Sequence, residues 1–326
     1  MGINTTRWKD EENENFNKVL ELLVNEEENS FNTNDETKVH YKNIVINKHS
    51  LENNSYKLEN NSYKLENNSY KKESESIKFE KVDFSFTKVR PTAALINEKS
   101  ESIISGYIVA YEKKNVIYYI ISRHSDSKNI LRNILNYTGN KEIVNNKIAV
   151  ESDFIIWLIY KFYNSLNVYS INEDNQEKQT LKIESIIGFK GDAEDEISRI
   201  TTDGDTVMNL ISSIAFLLES RKLTSIKLKV RFNNHQKLVF KLHINGSINI
   251  DMDEYNGDFR NLEENEKTAK ILLLIYLEIM PLLSEWYEED KSNNNWGNGV
   301  YNQFLDKLIT DIEEKVNQKK SQNSDT

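Results

Sequence analysis

Residues 221–250 read RKLTSIKLKVRFNNHQKLVFKLHINGSINI, and this stretch decides the fold class. Ile226, Leu228, Val230 and Phe232 alternate with Lys227, Lys229 and Arg231. Leu238, Phe240 and Leu242 then alternate with Lys237, Val239, Lys241 and His243, and Ile248 and Ile250 with Ser247 and Asn249. Period-two alternation marks a strand with one face on a core and the other in water. Three such runs with short polar connections make an antiparallel meander. Each inward side chain contributes about 1.5–3 kcal/mol on burial.

Hydrophobic phase constrains the turns. Apolar positions face apolar positions across a ladder, so each connection is expected to hold an odd number of residues. The first is then Asn234-His235-Gln236, or five residues. The second is Ile244-Asn245-Gly246, with Gly246 left-handed, rather than a two-residue Asn-Gly turn. In that register Lys229 faces Lys241 and Lys227 faces His243. Like charges directly opposite are unfavourable.

No Asp or Glu occurs between Arg221 and Ile250, whereas seven Lys or Arg do, in a chain of net charge −10. Three readings account for this basic face. It is a solvated sheet surface; or it is covered by acidic segments of the same chain, with Asp192–Glu196 and Glu263–Glu266 as candidates; or it meets an anionic partner. Under the last, Lys227, Lys229, Arg231, Lys237, Lys241 and His243 are the binding residues. The face lacks the exposed aromatics that stack on single strands, so a duplex backbone or an acidic protein surface fits better.

Outward from the meander, strands are expected at 78–87, 103–111, 116–122, 142–150, 168–171 and 181–189. Helices are expected at 128–137, capped by Ser125 or Asp126, at 153–163, apolar nearly all round, and at 206–222, opened by Asp205. Two more follow, at 264–289, bent near Pro281, and at 300–318. Without regular βαβ alternation the fold class is α+β, with mainly antiparallel sheet elements, packed helices and a C-terminal helical pair.

Residues 1–46 are expected to form an N-terminal helical arm, with Phe16, Val19, Leu20 and Leu23 on one face and Trp8 two turns earlier. Residues 51–71 are three identical copies of Leu-Glu-Asn-Asn-Ser-Tyr-Lys. Leu51, Tyr56 and Leu58 are spaced five and two, which excludes a coiled-coil seam, so 47–76 is read as a linker or extended surface loop. The α+β core is then 77–262, the C-terminal helices 263–318, and 319–326 a disordered tail.

Composition narrows the function classes. The absence of cysteine excludes disulfides, thiolate metal sites and cysteine nucleophiles. No apolar run exceeds the length of Ile271–Leu277, which falls far short of the roughly 18 residues of a membrane-spanning helix. With no signal-peptide pattern, the expectation is a cytoplasmic protein without a membrane partner. The abundance of Asn, Lys and Ile with two prolines suggests AT-rich bacterial coding.

Candidate chemistry is sparse. Glu112-Lys113-Lys114 gives the Glu-X-Lys of restriction-type nucleases, with Asp83 upstream as a metal ligand. His124 and Asp126 follow a strand and open a helix, where a general base could sit. Asp192, Asp203 and Asp205 surround glycines and could hold Mg²⁺. A calcium loop at Asp251–Glu263 is rejected, because Tyr255 takes the fifth place and glycine the seventh.

The expected function is therefore a non-enzymatic binding or assembly protein that engages another protein or nucleic acid through the basic sheet face. Hetero-complex or homo-oligomer contacts would run through the terminal helices, and no cofactor is needed. The alternative is a Mg²⁺-dependent nuclease or other hydrolase, and components of anti-phage defence include both types.

Overall fold

The alternating runs do become strands, in an α+β architecture of antiparallel sheets and packed helices. The structure, a computed structural model, describes residues 3–24, 40–49, 51, 54–58, 62–66, 69–73, 76–91, 99–123, 125–139, 141–171, 179–193, 199–203, 215, 217–218 and 220–324. They fall into two units: 3–148 with 259–275, and 149–258 with 276–326.

The first unit begins with β1 (Ile3–Asp10), α1 (Phe16–Val24), β2 (His40–Lys48), β3 (Ser55–Lys57), β4 (Ser62–Glu66) and β5 (Ser69–Glu73). It continues through β6 (Ser76–Pro91), β7 (Lys99–Lys113), β8 (Val116–Ile121), α2 (Ser127–Ile134) and β9 (Ile143–Asn145). The sheet runs β9-β1-β8-β7-β6, with β2 and β3 sharing the far edge of β6, and every pairing is antiparallel. Phe16, Val19 and Leu23 of α1 and Ile130, Leu131 and Ile134 of α2 are buried on one face, against Val82, Phe84 and Ile108. Asn15 caps α1 by accepting from Lys18 N at 3.3 Å. Trp8 is not a helical residue: it lies in β1 opposite Tyr119, and its Nε1 donates to Thr6 Oγ1 at 2.9 Å. Residues 3–10, assigned from sequence to a helical arm, are thus an integral strand.

The repeats also depart from the linker reading. The Ser-Tyr-Lys of each copy is a strand, at 55–57, 62–64 and 69–71. The first copy pairs with β6, and Tyr56 and Leu58 are buried. The second and third pair with each other as a hairpin. Two asparagines per copy disfavour helix, but Tyr flanked by Ser and Lys suits a strand with one covered face.

The second unit holds α3 (Ser152–Tyr163), β10 (Val168–Ile171), β11 (Gln179–Ala193), β12 (Arg199–Asp203), β13 (Ser220–Phe232), β14 (His235–His243) and β15 (Ile248–Ile250). The sheet order is β10-β11-β13-β14-β15, with β12 alongside β11. As its all-round apolarity requires, α3 is buried through Phe154, Trp157 and Leu158, and Trp157 Nε1 donates to Asp290 Oδ2 at 2.8 Å. Most of the helix expected at 206–222 lies outside the described residues. Leu217 and Leu218 are helical, and β13 has begun by Ser220.

Helix α4 (Glu264–Leu274) passes into a π turn (Ile275–Ile279) and then α5 (Met280–Ser292). Pro281, near which the sequence suggests a bend, directly follows this π turn. Proline has no N–H, and its ring crowds the carbonyl four residues earlier, so the preceding turn widens. Helix α6 (Asn298–Ser324) continues through residues read as a tail. Among the described residues no helix is long and apolar enough to cross a membrane.

Candidate binding face

The meander shows how side-chain phase builds a charged face. Ile226, Leu228, Val230, Phe232, Leu238, Phe240 and Leu242 are all buried, which leaves the intervening Lys and Arg on the other side. The second turn is as expected: His243 N donates to Ser247 O at 3.1 Å, Leu242 pairs with Ile248, and Gly246 has φ 77. A three-residue loop with a left-handed glycine keeps phase here.

The first turn corrects the sequence reading. Phe232 pairs with His235, so Asn233 and Asn234 form a two-residue turn, with Asn233 at φ 46. Phase is restored further along, because Val230 pairs with Leu238 and a bulge sets Gln236 and Lys237 against the single Arg231. The odd-number requirement is met by turn plus bulge. As a result Lys227, not Lys229, faces Lys241; Lys229 faces Val239, and Ser225 faces His243.

Among the described residues acid cover comes from Glu184 and Glu254, and most of the expected segment Asp192–Glu196 lies outside the described residues. Glu184 of β11 reaches Arg231 at 2.8 Å and Lys229 Nζ at 3.3 Å. Residues 251–258 turn back so that Asn256 bridges Lys237, and this places Glu254 on the Lys237 ammonium. The hydrogen bond and charge of Lys237, supported by Lys227 and Lys229, hold the Glu254 carboxyl below the ordinary carboxylate range. The rejected calcium loop is instead a structural return: Tyr255 is buried, and its hydroxyl lies 2.7 Å from His235 Nδ1. Glu263 is committed elsewhere, accepting from Asn265 N at 2.9 Å at the start of α4. The face is a mosaic in which Arg231 stays 54 % exposed and Lys237 37 %.

The nuclease constellation does not assemble. Asp83 pairs with Tyr107, and Glu112 lies five residues further along β7. An odd offset puts the two carboxylates on opposite faces of the sheet, and five residues at about 3.4 Å each separate them by roughly 17 Å. Lys114 is exposed in a two-residue turn, at φ 52 with Asn115 at φ 59. His124 lies outside the described residues. Asp126 is buried, with Arg123 Nη2 at 3.1 Å and Lys88 Nζ at 3.2 Å. Burial pushes its carboxyl up, but the hydrogen bonds and charges of Arg123 and Lys88 outweigh that and hold it low. A carboxylate so paired is a poor proton acceptor. Asp192 pairs with Arg199 and Asp203 with Gly188, four residues apart along β11; Asp205 lies outside the described residues. Among the described residues no group of three His, Asp or Glu could hold a metal ion.

One polar cluster escapes sequence reading. His49 Nε2 lies 2.6 Å from Asp83 Oδ2, and Lys81, 3 % exposed, donates to Asp83 and, at 2.8 Å, to Asn265 Oδ1. Lys81 occupies the second Asp83 oxygen, so the cluster is an ion-pair network tying the end of β2 to β6 rather than a free base. Its members are 34 and 184 residues apart and carry no local signal.

No protein-family model matches the chain, and no curated protein sequence matches it.

Proposed function

We propose that this chain is a non-enzymatic binding protein that engages an acidic protein surface through the outer face of β13 and β14. The observation that carries the reading is the register of the two strands: Lys227 sits directly opposite Lys241, with Lys229 and Arg231 following along the same face. A positive cluster of this kind is complementary to carboxylates on a facing protein surface. Glu184 and Glu254 favour a protein over a nucleic acid. Fixed carboxylates within the patch repel a continuous phosphate backbone, whereas a protein surface can set its own cations against them.

The test is photo-cross-linking from position 231 in cells, with partners identified by mass spectrometry. The variant Lys227→Glu/Lys229→Glu/Lys241→Glu is expected to abolish the cross-link and keep the circular dichroism spectrum of the parent. An unchanged cross-link, or salt-dependent binding of duplex DNA or RNA in place of a protein, overturns the reading.

A further inference from the structure

We infer that the edge of β6 at Ser76–Glu80 is a recognition site for a strand of sequence Asn-Ser-Tyr-Lys-Leu, and that residues 61–65 take it in exchange with residues 54–58. In the structure the first repeat fills this seat. Ser55, Tyr56 and Lys57 pair with Lys78, Ile77 and Ser76, and Phe79 N donates to Asn54 O at 3.0 Å. Three side chains give the seat its sequence preference. Asn54 donates to the buried Glu80 carboxyl, Tyr56 is buried with its ring edge-on to Phe259, and Leu58 is 6 % exposed. In strand addition of this kind main-chain bonds supply affinity and the side chains supply specificity.

The chain carries a second copy of that ligand. Asn61, Ser62, Tyr63, Lys64 and Leu65 repeat residues 54–58 without a change, so the seat meets the same five residues in either case. The third repeat does not qualify. Asn68, Ser69, Tyr70 and Lys71 match, but Lys72 stands where the buried leucine is required. Burying a lysine there strips its charge of water, so the third copy fits at least about tenfold less well. Copies two and three pair with each other through Ser62–Glu66 and Ser69–Glu73. A two-stranded hairpin is marginal in water, so releasing Ser62–Glu66 from it costs little. Exchange lengthens the connection from β2 by one repeat and shortens the connection to β6 by one repeat, and these closure terms largely offset. The second state is therefore populated on the order of one molecule in ten. The edge strand slides by one repeat while the contacts of the seat are kept. This site is distinct from the basic face of β13 and β14 and does not rest on it.

The test uses engineered disulfides in the full chain, which has no cysteine of its own. Asn54 and Phe79 form a hydrogen-bonded pair, so Ser55 and Lys78 are the next, closely spaced pair. Their Cα atoms are then about 4.5 Å apart, within reach of a disulfide. Ser55→Cys/Lys78→Cys reports the first state and Ser62→Cys/Lys78→Cys the second. In oxidised glutathione both variants are expected to form an intramolecular disulfide, the second at roughly one-tenth the rate of the first. Adding Leu65→Lys to the second variant gives copy two the defect of copy three and is expected to slow its disulfide at least about tenfold. Adding Leu58→Lys unseats copy one, and should slow the Ser55→Cys disulfide and accelerate the Ser62→Cys disulfide. A Ser62→Cys pair that stays reduced while the Ser55→Cys pair oxidises overturns the inference. So does a Ser62→Cys disulfide indifferent to Leu65→Lys, which would report a loose tether and not the seat. Thermal unfolding without cysteines gives a second readout. Leu58→Lys should lower Tm less than Leu58→Lys/Leu65→Lys, and equal losses would likewise refute the exchange.

Discussion

Lys227→Glu should make the protein more stable, although it reverses a charge in the candidate binding face. In the observed register Lys227 and Lys241 are directly opposite, so their Cβ atoms are about 4.5–5.5 Å apart and the pair contributes repulsion of roughly 0.2–1 kcal/mol. Replacing the repulsion by attraction gains that amount twice, about 0.4–2 kcal/mol. Part of the gain is lost because Glu254, which feels Lys227, acquires a like neighbour. The expected net effect is about 0.5–1 kcal/mol, or a rise of about 1–3 °C in Tm for a chain of this size. Urea denaturation at low salt measures it. Lys241→Glu should stabilise similarly, and the double variant should lose both gains, since two carboxylates then face each other. In 1 M NaCl, where the screening length is about 3 Å, the differences should shrink. Additive single and double variants would refute the register argument, because additivity means that the two side chains do not interact.

Deletion of residues 58–64 removes one repeat and leaves the sequence around β3 unchanged, since Leu65 takes the place of Leu58. Shortening the β3–β6 connection lowers its closure cost by about 0.4 kcal/mol. Thermal unfolding should therefore stay cooperative with an equal or slightly higher Tm, and a loss beyond 1 kcal/mol would show that the second copy packs specifically. Asp126→Asn tests the ion pairs at the start of α2. The folded carboxyl titrates below the ordinary value of 3.8, so the unfolded chain binds more protons between the two values and stability rises with pH there. The contribution of Asp126 is complete above about pH 5 and lost as pH falls through the folded value. Parent and variant should differ in urea midpoint at pH 7 and converge as pH falls through the folded value.

What the sequence reveals here is what short-range periodicity encodes. The alternation of Ile226–Phe232 and the all-round apolarity of Phe154–Phe162 each describe one element, and both elements form. The Ile244-Asn245-Gly246 loop is readable because phase leaves it one solution. The same rule fails at Asn233-Asn234, because a bulge adds a residue without leaving a mark in composition. Strand β1 was hidden because its alternating buried positions Thr6, Trp8 and Asp10 include one apolar residue, so no hydrophobic alternation shows in the sequence. Acid cover by Glu184 depends on the pairing of β11 with β13, across about 45 residues in sequence. His49 and Asp83 meet only through the β2–β6 register. The basic face was therefore legible residue by residue, whereas its neutralising partners were not.

The discontinuity of the first unit has a consequence for synthesis. Phe259–Ile275 belongs with residues 3–148, and the whole of 149–258 is made in between. Until that late segment leaves the ribosome, Lys81 lacks Asn265 and Tyr56 lacks the ring of Phe259. At 5–20 residues per second the wait is on the order of ten seconds. During this interval the nascent sheet of the first unit carries a buried-type lysine and an aromatic ring without their final cover. That makes it the stage at which a chaperone would find the chain.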